Sequence, residues 1–581
     1  VIDYATVDAA VGQNWYDLDP DLQARVARDC PSGDRSWAEA KLHDFGALVG
    51  GRVARNADVI DANPPQLERY DRWANEVNEV VHHPATLDTK RALWEAGFVS
   101  GFAADESARG RTAPGVVLAA ANYLVSQADT GMVCSLGMTS GVAGLVAAYA
   151  PPDVRDRLLA GLRADDLDHG TDGSMFLTER EGGSDLGSTV HCVARDLGDG
   201  RVELTGEKWF CSNIDGAAMV VLARPDGAPH GSAGIGLYLV PRYLDDGTRN
   251  RYSMRRLKQK LGTRSVPTGE IEFDRTLAYA LRPTRGDEGG QATSDAGGLN
   301  RMMEMVNGSR FGVALMGLGI GRRSFLEAAL WAHHRRAKGR LLVDLPLARE
   351  QLVDLLVELE ATFALAFECA AATRNADGAR LRRILVPAAK VRCCRFGVEA
   401  SSATIELVGG NGYCEDWGLT RLLRDAQCHP IWEGSENICA LDVLRAIRRD
   451  DAHEAVLARI DAALAVAGNG NAPDYVRPAA DAVAFTRDAL AGRVKAVLAG
   501  ESDEAEARAG QLTALIVKAT SGALLLEQSV DDHHKALVAL RYARRHLIED
   551  APWSDQIALV AGRDLVAFAD LAPATARTAA A

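Results

Sequence analysis

Two polar clusters, about 250 residues apart, carry the residue types best suited to chemistry. The first is Leu177-Thr178-Glu179-Arg180-Glu181-Gly182-Gly183-Ser184-Asp185, and the second is Ile431-Trp432-Glu433-Gly434-Ser435-Glu436-Asn437. In the first, the hydroxyls of Thr178 and Ser184 flank a glycine turn. Hydroxyls and exposed backbone N–H groups there can hold a pyrophosphate or the polar edge of a flat ring. About 25 residues later comes Lys208-Trp209-Phe210-Cys211-Ser212-Asn213. A tryptophan beside a hydroxyl can shield one face of such a ring and still donate to it. In the second cluster, Glu433 is a carboxylate next to a glycine. Held in a dry pocket against a weak C–H acid it can accept a proton, and burial would raise its pKa toward working pH. Read one at a time, these features are also a β-turn, a core tryptophan and an acid near a helix start.

The elements that must position these residues fall into blocks. From about Asp34 to Leu162 the pattern is helical: Trp37, Leu42, Phe45, then Leu118, Tyr123 and Leu124 recur on one face. Asn63-Pro64-Pro65 is a break, and Pro151-Pro152-Asp153 suits a helix start. Near Gly173 the character changes. Thr189 to Arg195 alternates, Gly198-Asp199-Gly200 turns, and Arg201 to Thr205 alternates again, which reads as a β-hairpin. Further strands are expected at Ala218–Ala223, Ile235–Val240 and Gly269–Phe273. Residues 283–298 read as a loop or linker. Long helices then return, with Leu352, Leu355, Leu356, Leu359 and Phe363 at amphipathic spacing. Gly312, Gly317, Gly319 and Gly321 in another long helix permit close helix contact or simply loosen it. The expected domains are a helical one over 1–172, a β domain over 173–285, a four-helix bundle over 299–448 and a helical one over 452–581 with a loop at 468–471. Segregated blocks of this kind are α+β.

Composition narrows the function. The 581 residues are 47% apolar and 25% charged, with a net charge of −14. That balance argues against broad phosphate binding. Ten scattered cysteines without a CxxC pair read as reduced thiols of a cytoplasmic protein, and no metal site is expected. The neighbouring pairs His333-His334 and His533-His534 diverge by about 100° on a helix and chelate poorly. No apolar run reaches the roughly 20 residues of a membrane span, and no secretory leader is evident. No GxGxxG motif follows a strand, so no Rossmann dinucleotide site is expected.

Several ordered stretches together resemble the acyl-CoA dehydrogenase superfamily over roughly residues 60–448, and within it the AidB-like adaptive-response branch. They are Asn63 to Asp71, Leu177 to Asp185, Lys208-Trp209-Phe210, Arg256 to Gly262, Gly409-Gly410-Asn411-Gly412-Tyr413, and Arg424-Asp425-Ala426 through Ser435. The resemblance implies a fold of helices, a β domain and a helical bundle. It implies FAD, held by Thr178, Gly183, Ser184, Trp209 and Ser212, with Ser435 and Asn437 toward the ribityl or adenosine side. Arg335 looks like the arginine that reaches a neighbouring subunit's FAD, which implies a homodimer or homotetramer. Ala337 and Lys338 depart from the family there. Glu433 matches the catalytic base, which would remove the α-proton of an acyl-CoA before β-hydride transfer to flavin gives the 2,3-enoyl-CoA. Some relatives carry the base just before an arginine on another helix; Ser309 before Arg310 leaves that place without one. Arg310 and Trp432 are assigned to substrate, and Trp432 and Trp417 are candidates to narrow the pocket.

The leading expectation is an FAD-dependent acyl-CoA dehydrogenase passing electrons to an electron-transfer flavoprotein. An AidB-like protein that binds DNA or deactivates alkylating agents is the alternative. The stretch 451–581 holds 18 acidic and 13 basic residues, a balance of −5, which disfavours DNA; Arg541, Arg544 and Arg545 are the best basic patch. A flavin oxidase or monooxygenase is a third reading, against which Glu433 counts.

Overall fold

The computed structural model describes residues 10–283, 297–372, 376–469, 472–548 and 557–566. Most of the expected 283–298 linker and part of the 468–471 loop lie outside them. The chain forms two compact units, each assembled from separated stretches. One comprises Arg55–Ala113 and Asp129–Ser309. The other comprises residues up to Ala54, Pro114–Ala128 and those from Arg310 onward. The N-terminal helical stretch is thus divided between the two.

Among the described residues the first unit holds nine strands: β1 (Gln66–Tyr70), β2 (Glu76–Val81), β3 (Gly173–Phe176), β4 (Val193–Gly198), β5 (Arg201–Ser212), β6 (Ala218–Pro225), β7 (Gly236–Pro241), β8 (Tyr252–Leu257) and β9 (Thr268–Ala280). The expected hairpin is β4–β5, antiparallel with Val193 opposite Thr205. Its first strand starts at Val193 rather than Thr189, because Leu186–Thr189 is a short helical turn. The pairings β6–β4–β5–β9–β7–β6 close on themselves, with β3 added parallel to β6 and β8 antiparallel to β9. Alternation in β6 shows why this closure is stable. Met219, Val221 and Ala223 join Phe176, Tyr238 and Phe273 in one core. Val220 and Leu222 point the other way, against Val142 and Val146 of the helix Thr130–Tyr149. A strand covered on both faces reads as an unbroken apolar run, as Ala218–Ala223 does.

β1 and β2 correct the all-helical expectation for this stretch. They form an antiparallel hairpin just after Pro64-Pro65, and neither strand has a fully buried face. Its polar sequence therefore carries no period-2 signal. The helix Thr130–Tyr149 is also long and apolar enough, by length and composition, to cross a bilayer, as is Ser502–Gln528 of the other unit. That corrects the expectation of no such run. Both are mostly buried inside the protein, as core helices are.

The second unit is helical. From Arg310 onward the helix Gly298–His334 meets Ala376–Val408, Leu419–Ala426 and Glu436–Asp450, and Pro346–Ala371 packs against Ala376–Val408. Leu352, Leu355, Leu356, Leu359 and Phe363 are buried, as their spacing predicts. Three of the four singled-out glycines mark close approach. A side chain at Gly317 would come within 2.6 Å of the Cys393 carbonyl, one at Gly319 would meet Ser126, and one at Gly321 would strike the Phe396 ring. Beyond Asp450, the helices Ala452–Asn469, Arg477–Ala499, Ser502–Gln528 and His533–His546 complete the unit.

Candidate active site

The glycine turn of the β unit is held from beneath by a buried ion pair. β3 ends at Phe176, and the chain turns back so that Gly182 N–H donates to the Glu179 carbonyl at 3.1 Å. Gly182 has φ +132, and a side chain at Gly183 would collide with the Thr178 hydroxyl. Only glycine leaves that hydroxyl and the turn this close. Glu179 is buried and accepts from the Lys208 ammonium at 2.7 Å, from His191 N–H at 2.8 Å and from Cys192 N–H at 3.1 Å. Its charge is therefore fully met inside the protein. Lys208 also donates to the Leu177 carbonyl at 3.1 Å, and Trp209 N–H donates to the Thr178 carbonyl at 2.9 Å. The turn and β5 are tied together at three points.

This ties Thr178 to Trp209, the two ends of the predicted cradle. The Trp209 ring is half-buried, with the Lys258 ammonium 3.6 Å from its centroid. Such a cation takes one face of the ring. Ser212, further along β5, shares a hydrogen bond of 3.0 Å with Thr268. The next residue, Asn213, is buried at φ +54 and bonded to Ser135, Ser174 and the Gly173 carbonyl. Gly183 and Ser184 are exposed at the turn. The β unit thus presents three hydroxyls, open turn N–H groups and a half-buried indole on a rigid frame, which fits a flavin nucleotide in the way the residue types suggested.

In the helical unit, Glu433 lies between the helices Leu419–Ala426 and Glu436–Asp450. It has φ +55 and is followed by Gly434 at φ +99. A left-handed non-glycine residue costs roughly 1–2 kcal/mol and needs fixing from outside. Two buried cations supply that. Arg310 donates to the Glu433 carbonyl at 3.0 Å, and Lys390 donates to the carbonyls of Pro430, at 3.1 Å, and Gly434. Burial raises the Glu433 carboxyl to about 7, against the opposing pull of Arg310 and Lys390. A carboxylate with such a pKa can exchange a proton near neutral pH.

Ser435 caps the following helix, accepting from Ile438 N–H at 3.5 Å, and its hydroxyl proton remains available to a ligand. Asn437 is exposed in the first turn. Trp432 is half-buried, and its ring is tilted against His429 at 5.5 Å. Arg310, assigned to substrate from the sequence, is buried and donates to the Glu433 carbonyl and to Asp442 at 2.7 Å. Trp417 packs edge-on against Trp331 in a small local core. Arg335 is exposed at the start of a tight hairpin formed by Arg336-Ala337 and Arg340-Leu341.

Three family models match along the chain in order. The adaptive response protein AidB N-terminal domain matches residues 6–169, the acyl-CoA dehydrogenase middle domain 174–276 and the acyl-CoA dehydrogenase C-terminal domain 296–448. The chain is 34% identical over 447 residues to the putative acyl-CoA dehydrogenase AidB of Escherichia coli, covering 75% of this chain and 78% of that one. The chain belongs to the acyl-CoA dehydrogenase family. It is also similar to the crystal structure of Caenorhabditis elegans ACDH-11 in complex with C11-CoA, with a TM-score of 0.83, 28% identity, and 94% and 93% of the two chains covered. An acyl-CoA dehydrogenase from Bacillus anthracis complexed with FAD shares the fold at a TM-score of 0.61 and 16% identity, over 80% of each chain.

The acyl-CoA dehydrogenase fold, α+β with N-terminal helical, middle β and C-terminal helical parts, is therefore the fold of this chain. Within it, sequence reasoning missed Glu179, Lys208 and Lys390 as supports of the candidate site. Glu179 and Lys208 stood inside quoted motifs, and their opposite charges were the available signal. Lys390 gave none, because a lone lysine in a helix reads as surface.

The predicted basic patch is corrected. Arg541 is mostly buried and binds Glu350 at 2.7 Å and Asp354 at 2.8 Å, while Arg545 pairs with Asp354. Both arginines face the acidic side of the helix Pro346–Ala371 and tie the two helices together, so the stretch is not simply a solvated helix face.

Proposed function

We propose that this chain is an FAD-dependent acyl-CoA dehydrogenase that converts an acyl-CoA to the 2,3-enoyl-CoA. The observation that carries the reading is Glu433 itself, in a left-handed turn whose carbonyls two buried cations hold and with its carboxyl raised to about 7. Glu433 takes the α-proton of the thioester. Its backbone N–H serves the developing enolate oxygen as a preorganised donor. Bound FAD supplies the acceptor for the β-hydride. Thr178, Gly183, Ser184, Trp209 and Ser212 hold the flavin; Ser435 and Asn437 serve its ribityl or adenosine side. Trp432 lines the acyl pocket.

Support for an acyl-CoA substrate comes from the relative solved with C11-CoA. An electron-transfer flavoprotein is the proposed acceptor. Arg335, exposed on its hairpin, serves the FAD of a second copy in a homodimer or homotetramer. The cytoplasm is the proposed compartment. The AidB N-terminal domain keeps the protective reading as a second one, with DNA as its partner.

The test is chemical. Protein loaded with FAD and given an acyl-CoA anaerobically should yield the 2,3-enoyl-CoA, identified by mass spectrometry as the loss of two hydrogens. Recovery of unchanged acyl-CoA across short, medium, long and branched chains would remove the dehydrogenase reading. A shift of duplex DNA at moderate salt would then favour the protective one.

A further inference from the structure

Lys390 is among the largest fully buried side chains of the molecule, yet among the described residues no carboxylate lies within ion-pair distance of it. Its hydrogen bonds go to two backbone carbonyls, those of Pro430 and Gly434, which bracket Glu433. Arg310, the other cation at the loop, has a carboxylate beside it: Asp442 at 2.7 Å, which Arg383 at 2.8 Å and Arg445 at 3.1 Å share. An ammonium taken out of water without a countercharge is costly, of order several kcal/mol. It persists where it does something that a neutral side chain would not.

We infer that Lys390 is the positioning residue of the base: its buried ammonium fixes the backbone on both sides of Glu433 and supplies the positive charge against which that carboxylate ionises. The inference rests on Glu433 being the base. The other groups around the loop leave this role to Lys390. His429, from the loop itself, is fully buried and driven down to about 3 by burial and by Lys390, so it is neutral at working pH. Burial raises the Cys394 thiol of the same helix to about 12, and it raises Cys439 of the helix Glu436–Asp450 as well. Glu436 is drawn away into an ion pair with Arg395, 2.5 Å long. Burial drives the Glu433 carboxyl up; Arg310, the larger, and then Lys390 are the two charges that oppose it. Arg310 shares Asp442 with two other arginines and holds one carbonyl of the loop, whereas Lys390 holds two, on either side of Glu433, and has no carboxylate within ion-pair distance among the described residues.

Two substitutions separate the two duties. Lys390→Gln removes the charge and keeps an N–H donor on a side chain one bond shorter; Lys390→Met removes both charge and donor. The carboxyl of Glu433 is titrated in the FAD-loaded full chain by difference infrared spectroscopy, wild type against Glu433→Gln, in each background. The midpoint should rise by about one pH unit or more in both variants. At alkaline pH, where the carboxyl is ionised, Lys390→Met should bleach flavin with an acyl-CoA at least tenfold more slowly than the wild type. An unmoved midpoint in Lys390→Gln overturns the inference even if Lys390→Met does not fold. A wild-type protein that titrates at Glu433 but bleaches with no acyl-CoA would instead overturn the dehydrogenase reading, and the infrared comparison would still decide the role of Lys390.

Discussion

Glu433 combines a strained backbone with a carboxyl held near neutrality, and both have named causes. The strain is held by Arg310 and Lys390 through carbonyls; the raised pKa follows from burial. A base must be unprotonated to act. The rate of flavin bleaching should therefore climb with pH through a midpoint near 7 and fall about tenfold per unit below it. Stopped-flow absorbance across that range checks this, and a flat profile would count against Glu433. The carboxylate and its glycine were legible in the sequence because a family motif surrounds them. Lys390 was not, since neither period nor motif marks a single buried lysine. Arg310 was legible as a residue, but its bonds to Asp442 and to the Glu433 carbonyl were not, because no local pattern encodes contacts more than a hundred residues apart.

The elements that hold the cradle depend on Glu179–Lys208. Breaking a buried pair by removing one partner costs about 3–5 kcal/mol, because a charge is left unmet. Lys208→Met should lower the thermal midpoint and weaken FAD retention together, read by calorimetry and by flavin fluorescence after desalting. Retention of FAD at wild-type affinity would separate the pair from the cradle. In the helical unit, Gly317→Val should destabilise by about 1–3 kcal/mol or more through overpacking against Cys393. Denaturant unfolding reads this directly. Strands with a two-faced burial, such as β6, were legible as apolar runs, and the β4–β5 hairpin as alternation about a glycine turn. β1 and β2 were not, because exposure on both faces erases alternation. β3 is four residues long, too short to register.

At the scale of the molecule, the last helices are tied to the bundle by charge. Lys535 bonds Asp21 at 2.6 Å and Glu360 at 2.7 Å, and His534 bonds Glu360 at 2.7 Å. His546 pairs with Glu358. Burial pushes Glu360 and Glu358 up, but Lys535 and His534 in one case, His546 and Arg392 in the other, hold both near 2. Because these folded pKa values lie below the ordinary carboxylate range, the stabilisation is full above about 4.5 and drains away as pH falls toward 2. His534 is raised by Glu360 against the effect of burial, so its share is full below its ordinary range and is lost as pH rises through the raised value. Hydrogen exchange in His533–His546 should accelerate below pH about 4.5, before the β unit opens. Arg541→Gln should likewise lower stability. Unchanged stability with weakened DNA binding would restore the arginine patch as a phosphate surface. The joining of residues up to Ala54 and 114–128 with the C-terminal half was not legible, because no local pattern encodes contacts hundreds of residues apart.

The most direct test of the account is anaerobic flavin bleaching by a panel of acyl-CoA thioesters, in wild type and Glu433→Gln. The account predicts bleaching of the wild type by at least one member and loss of at least a thousandfold in the variant, with FAD still bound. Equal bleaching of both proteins would contradict it.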